Sequence, residues 1–271
     1  MTSQPKMYIL EQGDGTHRTL DWLSWRSVSN SAAYLRPHIQ PEMSILDVGC
    51  GPGSISVDMA RLVPQGRVVG IDYNPEHLND ARAFATRQGV TNIEFQVGDI
   101  NALDFPDNTF DIVHAHQVLQ HVADPIQALR EMRRVTKPGG IVAAREAGDA
   151  SWYPELPGIK AYRDLVQTLG RLKGGNPNSG NKIHIWAKEA GFERSNIACS
   201  AGVWCFSTPE ERVHWGESMV ELLPVFGPKA VEMNLVNQDE LTVMADAWKH
   251  WLKDEDGWLS ILNGEIICRK E

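Results

Sequence analysis

The 271-residue chain predicts a doubly wound α/β fold: a parallel sheet covered by helices on both faces, with a helical cap before it and a helical insert late in the chain. Three observations carry that prediction. Between Met43 and Arg145, short apolar runs alternate with amphipathic stretches of helical period. A glycine-rich turn, Asp47-Val48-Gly49-Cys50-Gly51-Pro52-Gly53, joins the first apolar run to the first of those helices. After Arg145 the alternation loosens into longer helical stretches. Strands and helices in strict alternation bury a sheet on both faces, wind right-handedly, and offer ligands the carboxyl ends of the strands.

In chain order, residues 18–39 read as a cap helix burying Leu20, Trp22, Leu23, Val28, Ala32, Ala33 and Leu35 and ended by Pro37 and Pro41. Strands are expected at 44–48, 67–71, 92–96, 110–115 and 140–145, and helices at 54–62, 75–87 and 125–135. The fifth strand is entered through Lys137-Pro138-Gly139. Residues 148–158, with two prolines, read as loop; a helix then runs to about Leu172, and a Gly/Asn/Pro-rich turn precedes a helix at 182–190 capped by Gly191. Residues 194–205 read as a strand, and 261–269 as the last one. The helical stretch between them, 208–251, is expected to break at Pro224 and Pro228, because proline lacks the helical N–H.

Composition narrows the partners. The formal charge is −9, and neither half of the chain holds a cluster of Lys and Arg, which argues against binding nucleic acid, where affinity comes largely from counterion release. The local group Lys160, Arg163, Arg171, Lys173, Lys182 and Lys188 reads as solvated helix faces. No apolar run approaches the ~20 residues that span a bilayer, and the polar first residues lack a signal-peptide core, so no membrane and a cytoplasmic location are expected. Cys50, Cys199, Cys205 and Cys268 show no CxxC spacing, hence neither a zinc site nor a disulfide framework. The nine Trp avoid residues 26–151 altogether.

The glycine loop is spaced G-x-G-x-G, with Pro52 inside, rather than the G-x-G-x-x-G of dinucleotide sites. With Ile71-Asp72 ending the second strand, Gly98-Asp99-Ile100 after the third, Phe110-Asp111-Ile112-Val113 as the fourth and Lys137-Pro138-Gly139-Gly140 before the fifth, the series over residues 43–146 resembles the class I S-adenosylmethionine-dependent methyltransferases. It is most similar to the small-molecule group of ubiquinone/menaquinone-biosynthesis (UbiE-type) enzymes. The resemblance implies a Rossmann-like sheet of seven strands in the order 3-2-1-4-5-7-6, the last strand antiparallel. It also implies one structural domain: a cap at 1–42, the cofactor-binding core at 43–146, a lid loop, helices and sixth strand at 147–205, a helical substrate cap at 206–258 and the final strand at 259–271.

Carried over to this sequence, the resemblance implies S-adenosylmethionine as cofactor, leaving as S-adenosylhomocysteine, with Gly49, Cys50 and Gly51 along its methionine and ribose side. Asp72 would accept from the ribose hydroxyls, Tyr73 would flank the adenine, and Gly98, Asp99 and Ile100 would hold its amino group and ring. His116 and Gln117 would lie beside the transferred methyl as catalytic candidates, with His116 as base because imidazole titrates near neutral pH. His121 belongs to the same segment, either at the cofactor or as support of the loop. Tyr8 and Arg26, from the cap, are expected at the cofactor, Arg26 at its carboxylate. His114, His116 and His121 invite a metal reading, but no acidic or thiol ligand accompanies them, and no metal is expected.

For the substrate, an aromatic or apolar small molecule, the expected contacts are Trp25, Glu146, Trp152, Tyr153 and Trp204; Glu146 could instead form a structural pair with Arg145. Trp22, Trp186, Trp248 and Trp251 are expected to weld peripheral helices to the core. The acceptor atom stays open among O, N, C and S, and the protein is expected as a monomer or homodimer. Two alternatives remain at the sequence level: an NAD(P)-dependent oxidoreductase on a related plan, disfavoured by the glycine spacing, and a methyltransferase fold reused for non-methylating chemistry. A nucleic-acid methyltransferase is disfavoured by charge and because His114-Ala115-His116-Gln117 is not the [DNS]-P-P-[YFW] motif that grips a base.

Overall fold

The computed structural model describes residues 25–271 and Leu23. Its centre is a seven-stranded sheet ordered β3-β2-β1-β4-β5-β7-β6. The strands are β1 (Ser44–Val48), β2 (Arg67–Asp72), β3 (Ile93–Val97), β4 (Phe110–His116), β5 (Thr136–Tyr153), β6 (Ile197–Phe206) and β7 (Trp258–Arg269). β7 runs antiparallel to both its neighbours, and the pairs among β1 to β5 are parallel. This is the order and polarity that the family resemblance implies.

Two layers of side chains sandwich the sheet, as the near-continuous apolar strands require. On one face Leu46, Val48, Val113, Ala115, Val142 and Ala144 pack under α4 (Pro125–Val135) and α6 (Ile183–Glu189). Helix α4 shows why it forms: Asp124 caps it by accepting from the Gln127 N–H at 2.9 Å, Pro125 takes the first turn, and Ala128, Leu129, Met132 and Val135 recur on its inner face. On the other face Ile45, Ile112, Ile141 and Ala143 meet α2 (Ser54–Leu62) and the cap residues Val28, Ala32 and Leu35. Helix α3 (Pro75–Arg87), capped by Asn74, lies along β2 and β3.

A third cluster stands beyond the sheet's end. Helices α5 (Pro157–Leu172), α7 (Pro209–Glu232) and α8 (Gln238–Trp251) enclose Tyr162, Trp215, Trp248 and Trp251 and press them on Trp204, Phe206 and Leu259. Trp251 is fully buried, and its indole N–H donates to the Tyr153 carbonyl at 3.1 Å.

Several boundaries differ from the sequence reading. The cap helix is short, α1 (Val28–Ser31), followed by a 3-10 turn at Arg36–His38; the first half of the expected helix, with Leu20 and Trp22, lies outside the described residues, and Ala33 is exposed. Strand β5 does not stop at Arg145 but continues to Tyr153, with a bulge between Ala147 and Ala150, because β7 pairs with it as far as Trp258. Gly148 and Asp149 sit at the bulge instead of opening a loop. Helix α7 passes through both Pro224 and Pro228; the helical stretch breaks at residues 233–237, where Asn234 takes φ +54° and Asn237 caps α8. The burial of Trp215, Met219, Leu223 and Ala230 along α7 outweighs two missing helical bonds.

One crossing is unusually close. A side chain on Gly264 of β7 would run into the Gly180 carbonyl, and one on Gly180 would meet the backbones of Glu146 and Gly264. Backbones approach this way only where Cβ is absent.

Candidate functional site

At the carboxyl end of β1 the chain turns through three left-handed glycines, Gly49, Gly51 and Gly53, at φ +68°, +52° and +79°. A Cβ on Gly49 would press into Val118 Cγ2, and one on Gly53 would come within 2.9 Å of Ala81. A Cβ on Gly51 would meet nothing within 4 Å among the described residues, so none of them covers the crest of this loop. The loop is fixed from beside it: the Cys50 N–H donates to the Ile71 carbonyl and the Gly51 N–H to Asp72 Oδ2, both at 2.9 Å. Asp72 Oδ1 also accepts from the Asn74 N–H at 2.9 Å and faces His77 Nδ1 at 3.3 Å, a contact that raises the His77 pKa. Tyr73 is exposed next to it. After β3 come Gly98, Asp99, whose Oδ1 accepts from the Asn101 N–H at 2.8 Å, and buried Ile100. The ends of β1, β2 and β3 therefore set these residues along one rim.

Below the loop, buried Asp47 holds the first and fourth strands in register: its Oδ1 accepts from His114 Nδ1 at 2.8 Å and its Oδ2 from the Ser56 hydroxyl. His114 is thus committed to Asp47. Two residues on, His116 is buried with neither ring nitrogen partnered among the described residues. Loss of water, then the charge of Arg26, holds its pKa well below the ordinary imidazole value of 6.5. Gln117 takes a left-handed conformation, φ +52°, unusual for a non-glycine residue. Its N–H donates to the Arg145 carbonyl at 2.7 Å, its Oε1 accepts from Arg26 at 2.8 Å and its Nε2 donates to Asn263 at 3.1 Å.

Glu146 is fully buried and turned to the chain: its carboxylate accepts from the N–H groups of Val118, Leu119 and Gln120 at 2.9, 2.8 and 3.2 Å. It holds the loop after β4, and the expected substrate contact is corrected to that task. Burial pushes its carboxyl up to about 7 against the pull of those N–H groups. The expected Arg145–Glu146 pair is also corrected: Arg145 pairs across the sheet with Glu265 of β7 at 3.0 Å, both nearly solvent-free, and Ser200 of β6 donates to the same carboxylate at 2.7 Å. His121, pushed down to about 4 by burial, meets Gln120 Nε2 at 3.2 Å and belongs to the same loop.

Trp204 is the hub of the aromatic side. Its ring lies 5.2 Å from Trp25 and 5.5 Å from His116, with the Arg26 and Arg145 guanidiniums 5.4 and 5.3 Å from its centroid. Its indole N–H donates to the Asn30 carbonyl at 2.7 Å, tying the cap to β6. Trp25, Arg26, His116, Gln117 and Trp204 thus come together. Trp152 packs on the same aromatic cluster as Trp204 but lies beneath Arg163, 5.2 Å from its ring centroid, and Tyr153, 56% exposed at the strand's end, lies outside any enclosed pocket. Tyr8 lies outside the described residues.

Residues 39–191 match a family model described as a methyltransferase domain, more than half of the chain. The chain belongs to the class I S-adenosylmethionine-dependent methyltransferases. It is 35% identical over 260 residues to an uncharacterized methyltransferase of Schizosaccharomyces pombe, covering 92% of each chain. It is 38% identical over 166 residues to the demethylmenaquinone methyltransferase of Listeria monocytogenes, covering 59% of this chain and 67% of that one. The solved structure of Haemonchus contortus phosphoethanolamine N-methyltransferase 2, with phosphomonomethylethanolamine and S-adenosylhomocysteine, superposes with a TM-score of 0.57 over 93% of this chain and 56% of that one; at 18% identity the fold is what they share. The oxidoreductase alternative falls with this membership.

Sequence reasoning about this methyltransferase missed Asp47 as a strand tie, Asn263 behind Gln117, and the Glu265–Ser200 pair behind Arg145. The available signal was a lone carboxylate, Glu265, in an apolar final strand, since a buried charge needs a partner.

Proposed function

We propose that this methyltransferase acts on a small-molecule acceptor held between the rim of β1–β4 and the Trp-lined insert, in the cytoplasm, as a single structural domain. The carrying observation is the crest at Gly51 beside Asp72, where a ligand can approach bare backbone without displacing a side chain of the described residues. The residues at hand suit S-adenosylmethionine: Gly49, Cys50 and Gly51 supply a smooth wall, Asp72 and Asp99 supply acceptors for ribose and adenine, and Tyr73 and Ile100 supply flat apolar flanks. Arg26, which donates to Gln117 at 2.8 Å, is the cation we assign to the cofactor's carboxylate.

When bound, the cofactor supplies a methyl already activated by a sulfonium, so the protein contributes alignment, exclusion of water and, for a protonated nucleophile, a base. Gln117, fixed by Arg145, Arg26 and Asn263, positions what lies above it. His116 is neutral at neutral pH and has a free nitrogen, the state a general base needs. The acidic overall charge favours a small molecule over a polyanion.

The test is label transfer. Incubated with labelled S-adenosylmethionine and a fractionated cell extract, the protein should label the low-mass fraction; label confined to nucleic acid or protein would overturn the small-molecule reading.

A further inference from the structure

Buried polar atoms are nearly always hydrogen-bonded, so a cluster of orphans asks what is missing. Around the Trp204 ring such atoms converge from β4, from β5 and from the cap segment before α1. Among the described residues Arg145 spends only Nη1, on Glu265, and its Nε and Nη2 have no partner. Both nitrogens of His116 and the indole N–H of Trp25 are likewise buried and without a partner among the described residues. His116 and Arg145 stand side by side in the β4–β5 register, and Glu265 follows opposite Arg145, so the group forms a polar row across one face of the sheet. Gly202 leaves the row its room: a Cβ there would come 2.8 Å from Arg145 Nη1.

The balance of that set identifies its ligand. Arg145 and Trp25 can only donate, and neutral His116 offers one donor and one acceptor. Donors therefore exceed acceptors, two guanidiniums lie within 5.4 Å of Trp204, and indole faces supply flat apolar walls. Resting on the methyltransferase reading above, we infer that Arg145, His116 and Trp25 form an acceptor-side subsite for an anionic oxygen carried on a flat, conjugated ring: an aromatic carboxylate or phenolate. The planar guanidinium, with Nε and Nη2 unspent on one edge, matches a carboxylate bidentately and a phenolate through a forked contact. Trp25 covers this subsite from the cap, where its ring meets Trp204 at 5.2 Å and the Asn30 carbonyl accepts from the Trp204 indole.

The experiment uses the full chain saturated with S-adenosylhomocysteine, with 1-naphthoate, 1-naphthol and uncharged 1-naphthamide as probes, read by calorimetry. Naphthoate, or naphthol above its pKa, should bind at least about tenfold tighter than naphthamide. Arg145→Gln should abolish that preference and leave the affinity for S-adenosylhomocysteine within about twofold. Glu265→Gln, which leaves the guanidinium charge unbalanced, should tighten naphthoate several-fold and keeps the test decisive should the Arg145 variant fold poorly. Preference for naphthoate alone selects a carboxylate, and for naphtholate alone a phenolate. Equal binding of charged and uncharged probes, or no binding of any, overturns the subsite, as does an Arg145→Gln defect confined to S-adenosylhomocysteine, which would assign Arg145 to the cofactor's own carboxylate. Loss of S-adenosylhomocysteine binding by the unaltered protein would instead be a failure of the methyltransferase reading.

Discussion

Asp72 accepts hydrogen bonds from two backbone N–H groups, one of them in the glycine loop, and still stands at the rim. Removing it takes away charge-assisted acceptors and loosens the loop together. Asp72→Ala is expected to weaken S-adenosylmethionine binding by about tenfold or more, measured by calorimetry, and an unchanged Kd refutes the assignment. At His116 the expected signature is a pH profile. Because its pKa lies well below 6.5, kcat/KM should stay flat as pH falls through 6.5 and drop only further down; His116→Asn should lower kcat by about 10²–10⁴-fold and remove that limb. A limb centred at 6.5 or above would place the base elsewhere. The cofactor-side residues were legible because their spacing along the chain is the motif itself. The neighbours of His116 were not: Glu265 and Asn263 arrive through β7 from about 150 residues away, and no local pattern announces that pairing.

Among the elements, the loop after β4 depends on the side chain of a neighbouring strand. One buried carboxylate accepts three successive N–H groups there, and Gln117 holds its left-handed turn just before them. Glu146→Gln keeps the shape but puts an amide against N–H donors. It should raise the KM for S-adenosylmethionine and speed hydrogen exchange at Val118, Leu119 and Gln120, with exchange on β1 unchanged. Slow exchange at all three amides in that variant would show the clamp to be dispensable. Element existence was readable from apolar periodicity and caps. The failures share a physical cause: glycine and proline were read as punctuation, whereas tertiary pairing carried β5 past Gly148 and burial carried α7 past Pro224 and Pro228. The asparagines at 234 and 237 were the better stop signal, one suited to positive φ and one to an N-cap.

For the whole molecule, two buried groups pull the stability profile in opposite directions. His121 sits at about 4 in the fold against an ordinary 6.5, so between those values the unfolded chain binds a proton that the folded chain refuses; its contribution is present above pH 6.5 and lost as pH falls through about 4. Glu146 sits at about 7 against an ordinary 4.5, so its contribution is present below pH 4.5 and lost as pH rises through about 7. Urea midpoints should therefore fall less on acidification in His121→Gln, and less between pH 5 and 7.5 in Glu146→Gln, than in the unaltered protein. Identical slopes would remove both groups from the account. The insert is joined to the sheet by its aromatic cluster, and Trp251→Ala should cost about 3–5 kcal/mol in the same assay. The tryptophans excluded from residues 26–151 made this division visible in the sequence, but not which of them face the site.

The glycines at 180 and 264 set a rule for descent. Neither can gain even a methyl group unless the other's backbone retreats, and Gly180 also abuts the backbone of the residue that clamps the loop after β4. A lineage is therefore free to redesign the aromatic insert for new substrates, while this pair can drift only in concert, with a strand moving as the price.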